Sequence, residues 1–304
     1  MAILLTGGRG FIGSHIVDYL SSEDDLIIYD RSKVENSTVE FSAKHINAEL
    51  SDRDQLEQVF SIHNISHVIH LISDTMFWNS DQDTEFDIHK NIIDTIALLE
   101  LCVRYKVTKI VYASSGGAIY GNARYLPIDE KHPTDPITSY GVCKLAIEKY
   151  LYMYWKQYGL NYAAIRIANP YGPRQSPISN QGVIAVFGYR ILNNMELTIW
   201  GDGNFTRDYL HVQDVANLFV VALKSSDCGV FNAGSGVGRS VNEIIVALEN
   251  ILDKKAVISY ENSRRCDVPD IVLDSSLALN TFGWSPQINF KEGLRDVVEW
   301  LMND

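Results

Sequence analysis

The chain has 304 residues, enough for one large or two small domains around a substantial core. Apolar residues make up 46% and charged residues 21%, an average globular composition that excludes disordered, collagen-like and fibrous classes. A formal net charge of −12 repels polyanions, so no nucleic acid and no anionic membrane is expected as a partner; a small anionic ligand would need arginines inside a cleft.

From the first residues onward, short apolar runs alternate with helical patterns. Residues 2–6, 26–29, 67–72, 109–113 and 162–167 read as buried parallel strands, being short, continuous and rich in β-branched side chains. Helical stretches fall at about 11–21, 52–62, 84–105 and 138–157. Parallel strands need crossover helices, so the pattern predicts an α/β fold, a Rossmann-type doubly wound parallel sheet. The 84–105 stretch is apolar on more than one face and is expected to be buried on two sides. Together with 138–157 it is expected to pair with its copy in a homodimer.

After the strand at 162–167 the texture changes: Pro170, Pro173 and Pro177 mark loops, and short mixed elements follow. Residues 1–169 are therefore read as a Rossmann domain, and residues 170–304 as mainly a smaller mixed lobe with some chain returning to the sheet. Four cysteines lie far apart with no CxxC pair, which predicts reduced thiols and no metal site. No apolar run approaches the ~20 residues that span a bilayer. No leader is read at the N-terminus, and the protein is expected in the cytoplasm.

Thr6-Gly7-Gly8-Arg9-Gly10-Phe11-Ile12-Gly13 joins a predicted strand to a predicted helix. Gly7 allows the tight bend, Gly10 lets backbone approach a pyrophosphate, and Gly13 packs helix on strand. Asp30 ends the second strand, where a carboxylate holds an adenosine ribose 2′-OH. It favours NAD; Arg9 and Arg31 beside it would neutralise the extra phosphate of NADP, so both cofactors stay open. Tyr140 and Lys144 lie four apart on one helical face, where an ammonium lowers the phenol pKa and makes a base for a sugar or alcohol hydroxyl. A second pair, Tyr152 and Lys156, lies about 120° round the same helix and reads as packing.

These pieces resemble the extended short-chain dehydrogenase/reductase family, and within it the UDP-glucose 4-epimerase-like nucleotide-sugar enzymes. The likeness covers nearly the whole chain: TGGRGFIGS, Asp30, His70-Leu71, Asn91, SSGGAIYG (114–121), SYGVCK (139–144), RIANPYGPRQ (166–175), LTIWGDGNFTRDYLHVQDVA (197–216) and RRCDVP (264–269). The resemblance implies Tyr140 as acid/base and Lys144 as its partner on the nicotinamide ribose. It implies cofactor contacts from Gly7, Gly10, Phe11, Ile12, Gly13, Asp30, Arg31, Leu71 and Asn91. It also implies Asn169, Arg207 and Arg264 on a sugar diphosphate, and Trp200 beside the nucleotide base.

There are departures from that pattern. Where the family carries its catalytic Ser/Thr this chain has Gly116, so Ser115 is expected to supply the hydroxyl through a shifted loop. Gly117 and Ala118 stand where dehydratases carry an Asp-Glu pair, and Ile271 where a large aromatic would exclude N-acetylated sugars. The implied activity is a nucleotide-sugar 4-epimerase. A 4-keto-sugar reductase using NADPH and a catalytically silent NAD(P)-binding protein are the alternatives.

Overall fold

The protein's structure, a computed structural model, describes residues 2–20, 25–32, 43–73, 83–179, 181–263 and 268–303. The first half runs β1 (Ala2–Thr6), α1 (Phe11–Leu20), β2 (Leu26–Asp30), β3 (Lys44–Asn47), α2 (Arg53–Ile62), β4 (Ile65–His70) and α3 (Thr84–Asp87). A π-helical turn (Ile88–Ile93), α4 (Asp94–Arg104), β5 (Lys109–Ser115), α5 (Ser139–Tyr158) and β6 (Asn161–Ile167) complete it. The second half runs β7 (Asn169–Tyr171), α6 (Val183–Leu192), β8 (Glu196–Trp200), β9 (Thr206–His211), α7 (Val212–Lys224), β10 (Gly229–Ala233) and β11 (Gly238–Ser240). It ends with α8 (Val241–Leu252), β12 (Val257–Glu261), β13 (Asp270–Ile271), α9 (Ser276–Phe282) and α10 (Phe290–Asn303).

Seven strands form one parallel sheet in the order β10-β6-β5-β4-β1-β2-β3. Side chains alternate across it, so Leu5 packs with Ile16 and Phe219 in the layer of α1 and α7. Its neighbour Leu4 packs with Leu56, Leu98 and Leu151 in the layer of α2, α4 and α5. Each such fully buried side chain stabilises the fold by about 1.5–3 kcal/mol. The strand order reverses between β1 and β4, which opens a crevice beyond their C-terminal ends. In the smaller lobe β9 pairs in parallel with β7 and β13 and antiparallel with β11, while β8 pairs with β12. Helices α6, α8 and α10 close over it around Ile184, Leu197, Leu248 and Val297.

Three expectations change. The strand read at 67–72 runs over 65–70, so Leu71 stands just past its end, and β3 is a sheet strand that the sequence reading did not single out. The helix read over 84–105 is interrupted by the π-turn, because side chains there compete for main-chain carbonyls: Asn91 Nδ2 donates to Asp87 O (3.1 Å) and Thr95 Oγ1 to Asn91 O (2.5 Å). Nor is that segment buried on two sides within one chain, since Phe86 is 45% and Ile88 40% exposed on its outer face.

Candidate active site

β1 ends at Thr6, and the chain turns through Gly7 at φ 79°, a conformation that glycine alone adopts readily. A Cβ on Gly13 would lie 2.2 Å from the Gly7 carbonyl oxygen and 2.7 Å from Gly8 Cα, so α1 meets the turn more closely than any side chain permits. A Cβ on Gly10 would meet only the Gly7 carbonyl, at 3.3 Å, which leaves its other sides open to a ligand. The buried Asp30 carboxylate is held at the rim by the main-chain N–H groups of Arg9 (3.0 Å) and Ser32 (2.9 Å). Arg31 next to it is exposed, and the Arg9 guanidinium donates to His45 Nδ1 at 3.2 Å.

Across the crevice, the Thr138 side chain caps α5 by accepting from Gly141 N, and Tyr140 and Lys144 face inward one turn apart. The Lys144 ammonium donates to the Ala113 carbonyl at 2.8 Å and lies 5.5 Å from the Tyr140 ring centre and 4.9 Å from that of Tyr112. Burial pulls Lys144 down to about 8, against the charges of Cys143, Asp87 and Glu148. Tyr140 is pushed up to about 12, chiefly by burial; a hydrogen bond with the Ser115 hydroxyl lowers it and the Asp87 charge raises it. The expected lowering by Lys144 is thus overturned in the chain itself, where loss of solvent around the phenol outweighs an ammonium turned to a carbonyl.

Ser115 reaches Tyr140 from the end of β5 rather than from a shifted loop. No hydroxyl residue fits at position 116 without rearrangement, because a Cβ there would lie 2.5 Å from Leu273 Cδ1 and 3.2 Å from Arg166 O. The neighbouring Ser114 hydroxyl is committed to the buried Glu148 carboxylate at 2.6 Å.

One cleft of about 1050 Å³ connects these parts, larger than the ~300–1000 Å³ usual for a single small ligand. Gly7, Gly10, Phe11, Ile12, Gly13 and Leu71 line one end, Ser115, Gly117, Ala118, Tyr140 and Lys144 the middle, and Asn169, Trp200 and Arg207 the other end. The Arg207 guanidinium donates to the Thr206 and Pro269 carbonyls (2.9 and 3.0 Å), while Asp208 is taken by Ser235, Gly236 and Leu273. Asn91 is buried and lies outside the cleft lining, its amide on Asp87. Arg264 falls outside the described residues. Ile271 does not line the cleft: it is buried with Tyr120, Ile128 and Leu273, and Val268 lines the wall instead. Tyr152 and Lys156 stack with Trp155 on the outer face of α5. The sequence reading missed Gln175, Arg190 and Phe205, which also line the cleft. Gln175 and Phe205 stand in the quoted RIANPYGPRQ and GDGNFTRD runs, but Arg190 falls in no quoted motif.

A glycine cradle at the reversal of strand order, a carboxylate at the end of the next strand and a Tyr–Lys pair in the same cleft define a dinucleotide-dependent enzyme of the Rossmann type. Residues 3–234 match the model of the NAD dependent epimerase/dehydratase family, and the chain belongs to that family. A Methanocaldococcus jannaschii protein, named provisionally as a UDP-glucose 4-epimerase, is 39% identical over 99% of both chains. The crystal structure of a Thermotoga maritima UDP-glucose 4-epimerase with UDP-glucose superposes with a TM-score of 0.96 at 38% identity, covering 100% of this chain and 99% of that one. An Escherichia coli dTDP-4-dehydro-6-deoxyglucose reductase is 30% identical over 98% of this chain and 96% of its own.

NAD is the cofactor, and the cradle fits it: the space a Cβ would fill at Gly13 is closed, Gly10 is open, and the Asp30 carboxylate suits a ribose hydroxyl and repels a 2′-phosphate. Among the described residues, no helix is long and apolar enough to cross a membrane and no group of His, Cys, Asp and Glu could hold a metal ion.

Proposed function

We propose that the protein is a nucleotide-sugar 4-epimerase that interconverts UDP-hexoses of the glucose and galactose configurations or their N-acetylated analogues. The observation that carries this reading is the single cleft in which a dinucleotide cradle, the Tyr140–Lys144–Ser115 group and a wall bearing Arg207, Trp200 and Phe205 meet. Beside Ser115 that cleft presents Gly117 and Ala118, neither of which has a side-chain proton to give or take, so elimination of water from the sugar lacks its acid and base.

In this reading the Gly7–Gly13 turn holds the pyrophosphate, Asp30 the adenosine ribose and Lys144 the nicotinamide ribose. Bound NAD supplies the hydride acceptor for the sugar carbon and a positive ring beside the phenol. Tyr140 takes the proton of the sugar 4′-OH and later returns it. Ser115 donates to the phenolate oxygen, and the Lys144 ammonium adds positive charge nearby. Arg207, with Arg264 and Asn169, grips the diphosphate, since guanidinium groups match phosphate oxygens and offset an acidic chain. Trp200 and Phe205 flank the base. The generous cleft leaves a 4-keto sugar room to turn its other face.

A 4-keto-sugar reductase is the second reading, supported by Arg9 and Arg31 beside Asp30 and by the Escherichia coli relative. Incubation with UDP-galactose and no added cofactor separates the two. The epimerase reading predicts UDP-glucose as product. No conversion of any UDP-hexose, with NADPH oxidised by a 4-keto sugar nucleotide, overturns it.

We also read Phe86, Ile88, Val142, Tyr152 and Tyr158, each at least 40% exposed on the π-turn side and on α5, as the face where two copies pair. Val142→Asp is then expected to convert a dimer to a monomer in light scattering. A monomeric wild type at micromolar concentration contradicts the pairing.

A further inference from the structure

Behind the first turns of α5 stands a carboxylate that the proposed chemistry does not use. Asp87 ends α3 and is fully buried. Three donors converge on it: Asn91 Nδ2 on Oδ1 (2.6 Å), and Ser139 Oγ (2.5 Å) and Cys143 Sγ (3.4 Å) on Oδ2. Three donating partners are what an ionised carboxylate requires, because it can only accept. Ser139 and Cys143 bracket Tyr140, one residue before it and three after. Asn91 extends the link, since its Oδ1 accepts from Ser73 Oγ at 3.2 Å, two residues beyond the cleft-lining Leu71. At the π-turn the Asn91 amide donates to both the Asp87 carbonyl and its side chain. Such turns forgo regular helical bonding and recur at functional sites.

We propose that Asp87 is a positioning residue for Tyr140: its carboxylate pins Ser139 and Cys143, and so holds the phenol in place beside Ser115 and in a defined field. This rests on the reading of Tyr140 as the acid/base. The groups facing the phenol are Ser115 and Tyr112 from β5, Lys144 and Cys143 from α5 with Glu148 one turn beyond, and Asp87 from α3. His70 from β4 stacks on Tyr112 and is held down to about 3 by burial, so it is uncharged at working pH. Lys144 is the cation of this group, and Asp87 and Glu148 are its anions. The Asp87 charge raises both Tyr140 and Lys144. Replacing it by asparagine keeps the size and an oxygen for Ser139 but removes the charge, so both groups should lose their protons at lower pH.

Two measurements on the full-length protein decide the matter. The first is an ultraviolet tyrosinate titration, taken as the difference between each protein and its Tyr140→Phe version, which needs no turnover. In Asp87→Asn the Tyr140 signal is expected to appear about half a pH unit or more below the wild type, and in Ser139→Ala, which keeps the charge, at the wild-type pH. A phenol in Asp87→Asn that titrates at or above the wild-type pH overturns the proposal. The second is the pH profile of turnover, which should move to the acid side in Asp87→Asn; a loss of activity with no movement would mark a merely structural role and overturn it too. If Asp87→Asn does not fold, Ser139→Ala with Cys143→Ala cuts both contacts to α5 and should lower kcat about tenfold or more with KM unchanged. Unchanged kcat there refutes the pinning. If the wild type turns over no UDP-hexose, the epimerase reading fails while the titration still judges Asp87.

Discussion

Ser115→Ala removes one hydroxyl from the centre of the cleft, and its effect can be worked out in advance. That hydroxyl hydrogen-bonds the Tyr140 phenol and counters burial, lowering a group that loss of solvent pushes up to about 12. A hydrogen bond to a charged oxygen is worth about 1.5–3 kcal/mol. At 1.36 kcal/mol per pKa unit, its loss raises the phenol by about 1–2 units. No neighbouring hydroxyl stands ready to replace it: Gly116, Gly117 and Ala118 carry none, and Ser114 is bound to Glu148. At any pH below the phenol ionisation the reactive phenolate therefore falls about 10- to 100-fold, and kcat with it. The assay is kcat against pH for both proteins: the acid limb should move to higher pH, with part of the lost rate recovered as the pH rises. Superimposable profiles would refute the placement of Ser115 at the reacting oxygen.

Tyr140→Phe keeps the ring and removes the proton carrier, so kcat should fall about 10²–10⁴-fold while UDP still binds with wild-type affinity by calorimetry; retained turnover would assign the base elsewhere. Gly13→Ala forces a Cβ to within 2.2 Å of the Gly7 carbonyl oxygen, and the purified protein should release no NAD on denaturation where the wild type does. Glu148→Ala strips the buried Arg166 of a two-pronged partner (2.7 and 2.9 Å) and should cost about 3–5 kcal/mol. With about 2.1 cal/mol/K of unfolding entropy per residue over 304 residues, that lowers Tm by about 5–8 °C in a circular dichroism melt, and a drop below about 1 °C would contradict the buried pair.

The Rossmann half was legible because its signals are local. A strand buried on both faces reads as an unbroken apolar run, as in Ala2–Thr6, and the glycines of residues 7–13 mark a turn that needs a positive φ at Gly7 and leaves no space for a Cβ at Gly13. Tyr140 and Lys144 were found by helical spacing, and Ser115 as the hydroxyl one residue before Gly116, where the resembled family carries its Ser/Thr. What the sequence hid depends on contacts between distant segments. The π-turn arises because Asn91 and Thr95 bond main-chain carbonyls, which apolar periodicity does not register. Asp87 looks like an exposed acid at a helix start until α5 folds over it, 52 residues away at Ser139. The raised phenol follows from burial, which spacing cannot measure, and Gln175, Arg190 and Phe205 reach the cleft only through the packing of the smaller lobe.

The central claim is that one sugar carbon is inverted within a cleft where Tyr140 carries the proton of the 4′-OH. UDP-galactose deuterated at C4 tests it most directly, incubated with the purified protein in ordinary water without added cofactor. The account predicts UDP-glucose that retains deuterium at C4, because the hydrogen removed from that carbon returns to it while only the hydroxyl proton passes through Tyr140. UDP-glucose that has lost the label to solvent, or no UDP-glucose at all, would contradict it.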